Sequence, residues 1–198
     1  MFRGKRAFGK KICYYISMKN INQRIGVFVD VSNLYHRAKN LYKSKVNFNT
    51  LLKTAVSERQ LIRAFAYVVK ADIPEEQSFF EALKLAGFEL KSKDLQIFAG
   101  GAKKGDWDVG IAVDAITLAP KVDVVVLVTG DGDFLPLLHY LRGTTGCRVE
   151  VMSFGKSTSA KLIEDADEFT DMDKDLRRYL LYTVPPKTGM NLSRLILR

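Results

Sequence analysis

The sequence predicts an α/β protein, a three-layer sandwich with a mostly parallel central sheet. Strand-like apolar segments alternate with helix-like segments along the chain, which is the order of βαβ units. The strand-like segments at 24–31 and 122–128 are nearly continuous runs of apolar residues, as expected of strands buried on both faces. Both runs end close to aspartates, at the sheet edge where open parallel sheets bind their ligands.

The strands are predicted from short runs rich in β-branched and aromatic residues. The second strand is the run RAFAYVV, and a charged turn separates the third from the fourth. The most hydrophobic run, at 122–128, is predicted to be the central strand, and Pro120 ends the helix before it. The predicted strands, in chain order, are 24–31, 61–69, 88–90, 95–98, 122–128 and 148–152.

The helices are predicted from apolar residues at helical spacing and from start and stop signals. Asn47 or Asn49 is expected to cap the second helix. Pro74 suits the first turn of the third helix, and Gly87 suits its end. The predicted helices are 34–42, 48–56, 74–86, 106–118, 134–141 and 157–163.

Charge divides the chain into three parts. The 198 residues carry a net charge of +9, but residues 25–176 hold 19 basic and 22 acidic residues, a net charge of −3. We therefore expect one domain at 24–176, between a basic N-terminal extension at 1–23 and a basic C-terminal tail at 177–198. Basic ends of this kind suit the phosphates of a nucleic acid, although short basic termini also serve solubility alone.

Composition also excludes several classes of protein. No apolar run approaches the roughly 18 residues of a membrane helix, so no membrane partner is expected. The two cysteines lack zinc-ligand spacing and are too few for a disulfide framework, which favours a reducing, cytoplasmic compartment. Neither a glycine-rich dinucleotide loop nor a P-loop follows the first strand, so no nucleotide cofactor is expected.

Two short motifs end the two most buried strands. Asp30, Ser32 and Asn33 close the first strand, and Thr129, Asp131 and Asp133 follow the run at 122–128. Carboxylates gathered at one sheet edge repel one another unless a cation lies between them, and hard divalent cations prefer oxygen ligands. Both motifs also have a structural explanation, since Asp30 and Asp133 are suited to cap the helices that follow them.

The helix predicted at 106–118 adds three further acids. Asp106 is the expected helix cap, and Asp108 is expected to reach the crevice at the sheet edge. Asp114 lies about 240° further around the helix, so it is either a lower metal ligand or a structural acceptor. Lys103 and Lys104 lie in a glycine-rich loop before this helix, and they either hold substrate phosphates or serve solubility.

Taken together, these motifs resemble the NYN family of PIN-like nucleases, and within it the LabA-like (DUF88) branch. The resemblance rests on the D-x-S-N motif at 30–33, on the segment from Lys104 to Asp114, and on the T-G-D-G-D-F motif at 129–134. Trp107 replaces a residue that is usually small. The late segment KLIEDADEFTDM is also similar to the closing region of the family.

The resemblance implies a Rossmann-like fold and a metal-dependent ribonuclease. Mg²⁺ or Mn²⁺ would bind at an acidic pocket and activate a water that hydrolyses RNA phosphodiester bonds. The implied ligands are Asp30, Asp108, Asp131, Asp133 and Asp114, of which the first four are also the implied catalytic residues. The implied substrate contacts are Ser32, Asn33, Lys103, Lys104 and Thr129.

Two other functions share part of this pattern. Phosphatases of the HAD type need a second aspartate two residues after the first, where this chain has Ser32, so that class is disfavoured. A catalytically silent RNA-binding or regulatory module of the same family remains an alternative. The sequence leaves the oligomeric state open, a homodimer included.

Overall fold

The computed structural model describes residues 20–70, 76–97 and 103–181. For residues 96, 97, 103 and 104 it describes the backbone alone. The two basic ends, Pro74 and the loop at 98–102 therefore lie outside the described residues, as do the predictions that concern them.

The described chain contains ten strands and seven α-helices. The strands are β1 (Arg24–Asp30), β2 (Lys45–Val46), β3 (Gln60–Lys70), β4 (Glu89–Asp94), β5 (Gln96–Ile97), β6 (Lys103–Lys104), β7 (Val124–Val128), β8 (Arg148–Ser153), β9 (Glu168–Asp171) and β10 (Leu180–Leu181). The helices are α1 (Val31–Tyr42), α2 (Phe48–Val56), α3 (Glu76–Leu85), α4 (Asp108–Leu118), α5 (Leu135–Tyr140), α6 (Ala160–Asp165) and α7 (Leu176–Tyr179).

Six strands form one sheet in the order β4-β3-β1-β7-β8-β9. Every neighbouring pair in it is parallel, which confirms the predicted fold class. The two strands that end in acidic motifs, β1 and β7, are adjacent at the centre, with Val29 paired to Val128. Their carboxyl ends therefore meet at one edge, and this brings the two motifs together.

Alternate residues of each strand face two separate cores. Ile25, Val27 and Val29 of β1 face the core under α1, α2, α3 and α7. Phe28 faces the opposite core, which contains residues of α4, α5 and α6. By this alternation Asp30 lies on the second face, the same face as α4.

Several strand predictions needed correction. The short strands predicted at 88–90 and 95–98 are instead an edge strand, β4, and half of an antiparallel ribbon in which β5 pairs with β6. Lys103 and Lys104 thus belong to a strand and not to a flexible loop. The closing strand β9 was not predicted, because the segment EFTD has a single apolar residue, Phe169, and is only half-buried, which leaves little hydrophobic signal.

Toward the amino ends of the central strands, acidic side chains form ion pairs with arginines. Arg24 at the start of β1 pairs with Asp123 at 2.7 Å. The fully buried guanidinium of Arg59 donates two hydrogen bonds of 2.8 Å to the carboxylate of Glu150 on β8. It also donates to the carbonyl oxygens of Ala55 and Val56, and so ties the end of α2 to the sheet.

Candidate active site

The D-x-S-N motif places Asp30 at the junction of β1 and α1. Asp30 is only 8% exposed, and its carboxylate accepts a hydrogen bond of 3.0 Å from the backbone of Asn33. The backbone N–H of Ser32 also donates to it. Asp30 is therefore the helix cap that the structural explanation predicted, and its remaining oxygen capacity faces the α4 side of the sheet.

Asn33 connects the two acidic motifs. Its side-chain oxygen accepts a hydrogen bond of 3.3 Å from the backbone N–H of Gly130. The turn after β1 is thus bonded directly to the turn after β7, although the two residues are 97 positions apart. Asn33 therefore sets the position of the second motif relative to Asp30.

The turn after β7 is held by its own side chains. The hydroxyl of Thr129 accepts a hydrogen bond from the backbone N–H of Asp131 at 3.2 Å. Asp131 in turn accepts from the backbone N–H of Asp133 at 3.0 Å and caps the short 3₁₀ helix there. The cap is thus Asp131 and not Asp133, which is exposed. The expectation that Asp133 caps the helix was therefore wrong, because the helical segment begins two residues earlier than predicted, at Gly132, as a 3₁₀ helix. Its role as a metal ligand stays a prediction.

Gly130 is required by close packing and not by an unusual backbone angle. Within the described chain, the glycines with positive φ are Gly87 and Gly146. A Cβ atom at Gly130 would lie 2.9 Å from the hydroxyl of Ser153 and 3.1 Å from that of Thr158. The loop after β8 therefore packs directly against the turn that carries Asp131.

Helix α4 begins at Asp108, two residues later than predicted. Trp107 occupies the N-cap position without a side-chain cap hydrogen bond, so the prediction that Asp106 caps this helix was wrong. The Trp107 indole donates to the carbonyl oxygen of Val68 at 2.9 Å, which anchors the helix start to the end of β3. As a result Asp108 lies in the first turn, beside the carboxyl edge of the sheet.

Electrostatic coupling indicates that three of the predicted acids lie close together. Burial first, and then the charges of Asp108 and Asp131, raise the pKa of Asp30 to about 6, against the backbone hydrogen bonds from Asn33 and Ser32, which lower it. Burial also raises the pKa of Asp108, followed by the charges of Asp131, Asp106 and Asp133. A cation between these carboxylates would reverse both shifts, because it favours the charged form.

The same side chains do not form a ready-made metal cluster. Over the described residues, no group of three His, Cys, Asp or Glu side chains is arranged to hold an ion. Nor does an ion pair join Asp30, Asp108 or Asp131 to a cationic side chain of the described chain. The acids are thus close enough to repel one another and are not balanced by a paired base.

Asp114 has partners of its own. Its carboxylate accepts a hydrogen bond of 2.8 Å from the hydroxyl of Tyr67 and lies 3.5 Å from the ammonium of Lys91. Burial, and then the hydrogen bond to Asp114, raises the pKa of Tyr67. Asp114 was expected to be either a structural acceptor or a lower metal ligand, and these contacts are those of a structural acceptor. The role of Asp114 as a metal ligand stays a prediction.

The five residues predicted to contact a substrate differ in how accessible they are. Ser32 and Asn33 are half-buried at the site, whereas Thr129 is only 2% exposed and its hydroxyl is engaged within the turn. The side chains of Lys103 and Lys104 lie outside the described residues. A direct contact of any of these five residues with a substrate therefore stays a prediction.

Sequence reasoning missed one cation beside the acids, Lys93. Its ammonium lies 4.9 Å from the centre of the Trp107 ring, next to Asp108. The charge of Lys93 opposes the rise in the pKa of Asp108 that burial and the neighbouring carboxylates cause. The signal that was available is the alternation Glu89, Lys91, Lys93, which places all three on one face of a strand.

The fold and the site define a class of protein, an α/β domain whose six-stranded central sheet is fully parallel and carries acidic residues at the carboxyl edge of its two central strands. The NYN domain model matches residues 24–173, so the chain belongs to the NYN domain family, within the PIN-like nuclease superfamily. This confirms the resemblance that the three motifs predicted.

Two relatives extend the comparison. The chain is 24% identical over 173 residues to the Low amplitude and bright protein LabA of Synechococcus elongatus, a match that covers 83% of this chain and 91% of LabA. It also matches a crystal structure of a protein of unknown function from Vibrio parahaemolyticus, with a TM-score of 0.75 and 36% identity. That match covers 82% of this chain and 98% of the other. In the described part of the chain, no helix is long and apolar enough to cross a membrane.

Proposed function

We propose that this protein is a metal-dependent ribonuclease that hydrolyses RNA phosphodiester bonds at the acidic edge of the sheet. The observation that carries the proposal is the convergence of Asp30, Asp108 and Asp131 without a paired base. The charges of Asp108 and Asp131 help to raise the pKa of Asp30, and the charge of Asp131 helps to raise the pKa of Asp108. Mutual repulsion of this kind costs stability. Such a cost is expected where a site is built to receive a cation.

The donor chemistry fits Mg²⁺ or Mn²⁺. Asp30, Asp108 and Asp131 offer carboxylate oxygens only, which hard divalent cations prefer over nitrogen or sulfur ligands. Asp133 is exposed beside them, and Asp114 is the fifth acid of the predicted set. When bound, a divalent ion supplies charge neutralisation at the scissile phosphate and activation of a water. Because the acids lack a ready-made geometry, ion binding has to draw their side chains together.

The chain itself contributes positioning. Asn33 holds the turn of Asp131 against the turn of Asp30 through its bond to Gly130. The Trp107 indole fixes the first turn of α4, and with it Asp108, against β3. Each acid thus lies at the end of a strand, in the turn directly after one, or in a helix bonded to one, and this suits the precise placement that catalytic groups require. The acids need no side-chain nucleophile for this chemistry.

The test is an RNA cleavage assay with a matched pair of variants. Purified protein is incubated with single-stranded and structured RNA, with Mn²⁺, Mg²⁺ or EDTA. Cleavage should require the ion and should fall by about 100-fold or more in Asp131→Asn. It should be retained in Asp123→Asn, which makes the same chemical change at the opposite end of the sheet.

The other outcomes are equally informative. Cleavage that persists in Asp131→Asn would identify a contaminant and contradict the proposal. RNA binding without cleavage of any substrate would instead favour the silent RNA-binding or regulatory module. A cytoplasmic location, the homodimer and RNA as the partner remain predictions alongside the activity.

A further inference from the structure

The face of the sheet that carries α4 also carries a row of cations beside the acids. Arg63 on β3 and the edge-strand residues Lys91 and Lys93 all point to this face, because they share the alternation of Phe65 and Tyr67. Arg63 lies 4.5 Å from the centre of the Phe65 ring, and Lys91 lies 5.5 Å from it. Together with Lys93 over Trp107, they lie on an aromatic surface.

Strand register fixes this row relative to the acidic pocket. Asp30 pairs with Tyr67, which pairs with Lys91, so Asp30 and Lys91 lie in one cross-strand row, about 10 Å apart at two strand spacings. Lys93 lies two residues further toward the carboxyl edge, about 7 Å along the strand. It therefore lies beside the acidic residues, on the side of β4.

The three cations differ in how they are neutralised. Arg63 forms an ion pair with Glu89, and Lys91 forms one with Asp114. Lys93, in contrast, has no carboxylate within ion-pair distance anywhere in the described ranges. Its ammonium is placed instead by the Trp107 ring, at 4.9 Å, and a cation held over an aromatic face remains available to an anion.

We propose that Lys93, with Lys91 behind it, binds the sugar–phosphate backbone of single-stranded RNA as it enters the acidic pocket. This inference rests on the proposed function. A pocket lined by aspartates repels phosphates, so a substrate needs a cation fixed close to it, and Lys93 is fixed by the residue that directly precedes Asp108. Lysines on an edge strand also discourage strand pairing, and the following experiment distinguishes that role from RNA binding.

Binding is measured in the full-length chain carrying Asp30→Asn, so that no cleavage interferes. The probe is a fluorescein-labelled 20-mer of uridine, which has no secondary structure, and its anisotropy is followed over a salt series with Mg²⁺ held constant. The variants are Lys93→Gln, Lys91→Gln and the double variant. The control is Lys53→Gln with Lys121→Gln, which removes two exposed charges from α2 and from the amino end of the sheet.

Each lysine that contacts a phosphate should contribute about 0.7 to the slope of log affinity against log salt. The double variant should therefore lose about 1.4 of that slope and bind about tenfold or more weakly at 0.1 M salt. Lys93→Arg should retain the wild-type slope, because it keeps the charge over Trp107. In a chain with active acids, KM should rise while kcat stays nearly unchanged.

An unchanged slope in the double variant, or an equal loss in the control, would overturn the inference. So would a fall in kcat without a change in binding, because that would mean Lys93 acts only through Asp108. If wild-type protein cleaves RNA while the double variant binds normally, the inference fails and the proposed function stands. If the slope falls as expected but no RNA is ever cleaved, Lys93 and Lys91 bind RNA as inferred and the proposed ribonuclease function fails.

Discussion

The two ends of the central sheet treat acidic side chains in opposite ways. Toward the amino end, Asp123 pairs with Arg24, and Glu150 of β8 is held by Arg59 and Arg148. At the carboxyl end, Asp30, Asp108 and Asp131 face one another without a paired base among the described residues. Both regions contain a buried carboxylate, but only at the amino end do arginines of the described chain form ion pairs with it.

The pKa values reflect this difference. The hydrogen bonds from Arg24 hold the pKa of Asp123 below its ordinary value, whereas burial and neighbouring acids raise that of Asp30 to about 6. A charge that is compensated inside the fold supports the fold. One that is left uncompensated weakens it, and is expected where an external partner completes the site.

Breaking the buried pair should have the largest effect on stability. Arg59→Met removes both hydrogen bonds that Arg59 donates to the buried carboxylate of Glu150, and its two bonds to the end of α2. We expect the free energy of unfolding to fall by about 3 to 5 kcal/mol, measured by urea denaturation. Arg59→Met combined with Glu150→Leu should recover most of the loss. A loss as large in the double variant would mean that packing and not charge dominates at this position.

Removing a charge at the carboxyl end of the sheet should raise the free energy of unfolding and not lower it. Asp30→Asn keeps a side-chain oxygen to cap α1 but removes a buried charge, so in EDTA at pH 8 it should stabilise the fold by roughly 3 kcal/mol, from the rise in pKa. The variant should at the same time lose RNA cleavage. Equal or lower stability than wild type would contradict the idea that this end of the sheet is electrostatically strained.

The pH dependence gives this prediction a sign that can be checked. Asp30 has a pKa of about 6 in the folded chain against an ordinary value of 3.8, so between these values the folded state binds more protons than the unfolded state. Stability then falls as pH rises through this window. The advantage of Asp30→Asn should be absent below pH 4, grow to about pH 6 and level off above it.

Divalent ions should erase the strain at the acidic end. At an ion concentration about 100 times the Kd, Mg²⁺ or Mn²⁺ should stabilise the wild type by about 2.7 kcal/mol, or about 5 to 10 °C in Tm. Asp30→Asn combined with Asp131→Asn should show no such shift, whereas Asp123→Asn should retain it. A shift of equal size in all three would indicate a general salt effect.

The smallest effect is expected at the exposed pair. Asp123→Asn removes the ion pair with Arg24 but leaves an oxygen that can accept from the Arg24 backbone, as Asp123 does at 2.8 Å. Solvent and salt screen such pairs, so the urea midpoint should change least among these variants, and by even less in 0.5 M salt than in 0.05 M. A loss comparable to that of Arg59→Met would show that this end depends on exposed charges as well.

The sequence predicted most of the sheet and the family, because both depend on strong local signals. Continuous apolar runs predict buried strands, and the D-x-S-N and T-G-D-G-D-F motifs follow two of them directly. In contrast, β9 contains a single apolar residue, Phe169, and was missed. The error at Asp106 has a similar origin, since the start of α4 is set by the Trp107 indole bonding to Val68 across the fold, which no local pattern reveals.

The candidate site could be predicted only as a set of residues. The order of strands and motifs predicted that Asp30, Asp108 and Asp131 lie at one sheet edge. It did not predict the hydrogen bond between Asn33 and Gly130 that aligns two of the turns. The contacts of Asp114 with Tyr67 and Lys91 also depend on tertiary packing. Lys93 was missed for the same reason, because its position beside Asp108 follows from strand register and not from any motif.

The pairing of β1 with β7 has a consequence for how the protein is made. Val29 meets Val128 only after almost a hundred residues between them have been synthesised, and such non-local pairing is slow because loop closure precedes any gain from contacts. The three acids therefore cannot converge on a partly formed chain. A nascent chain contains Asp30 before Asp108 and Asp131 have been added, and a misfolded chain contains all three without bringing them together, so the site is absent until the centre of the sheet is complete.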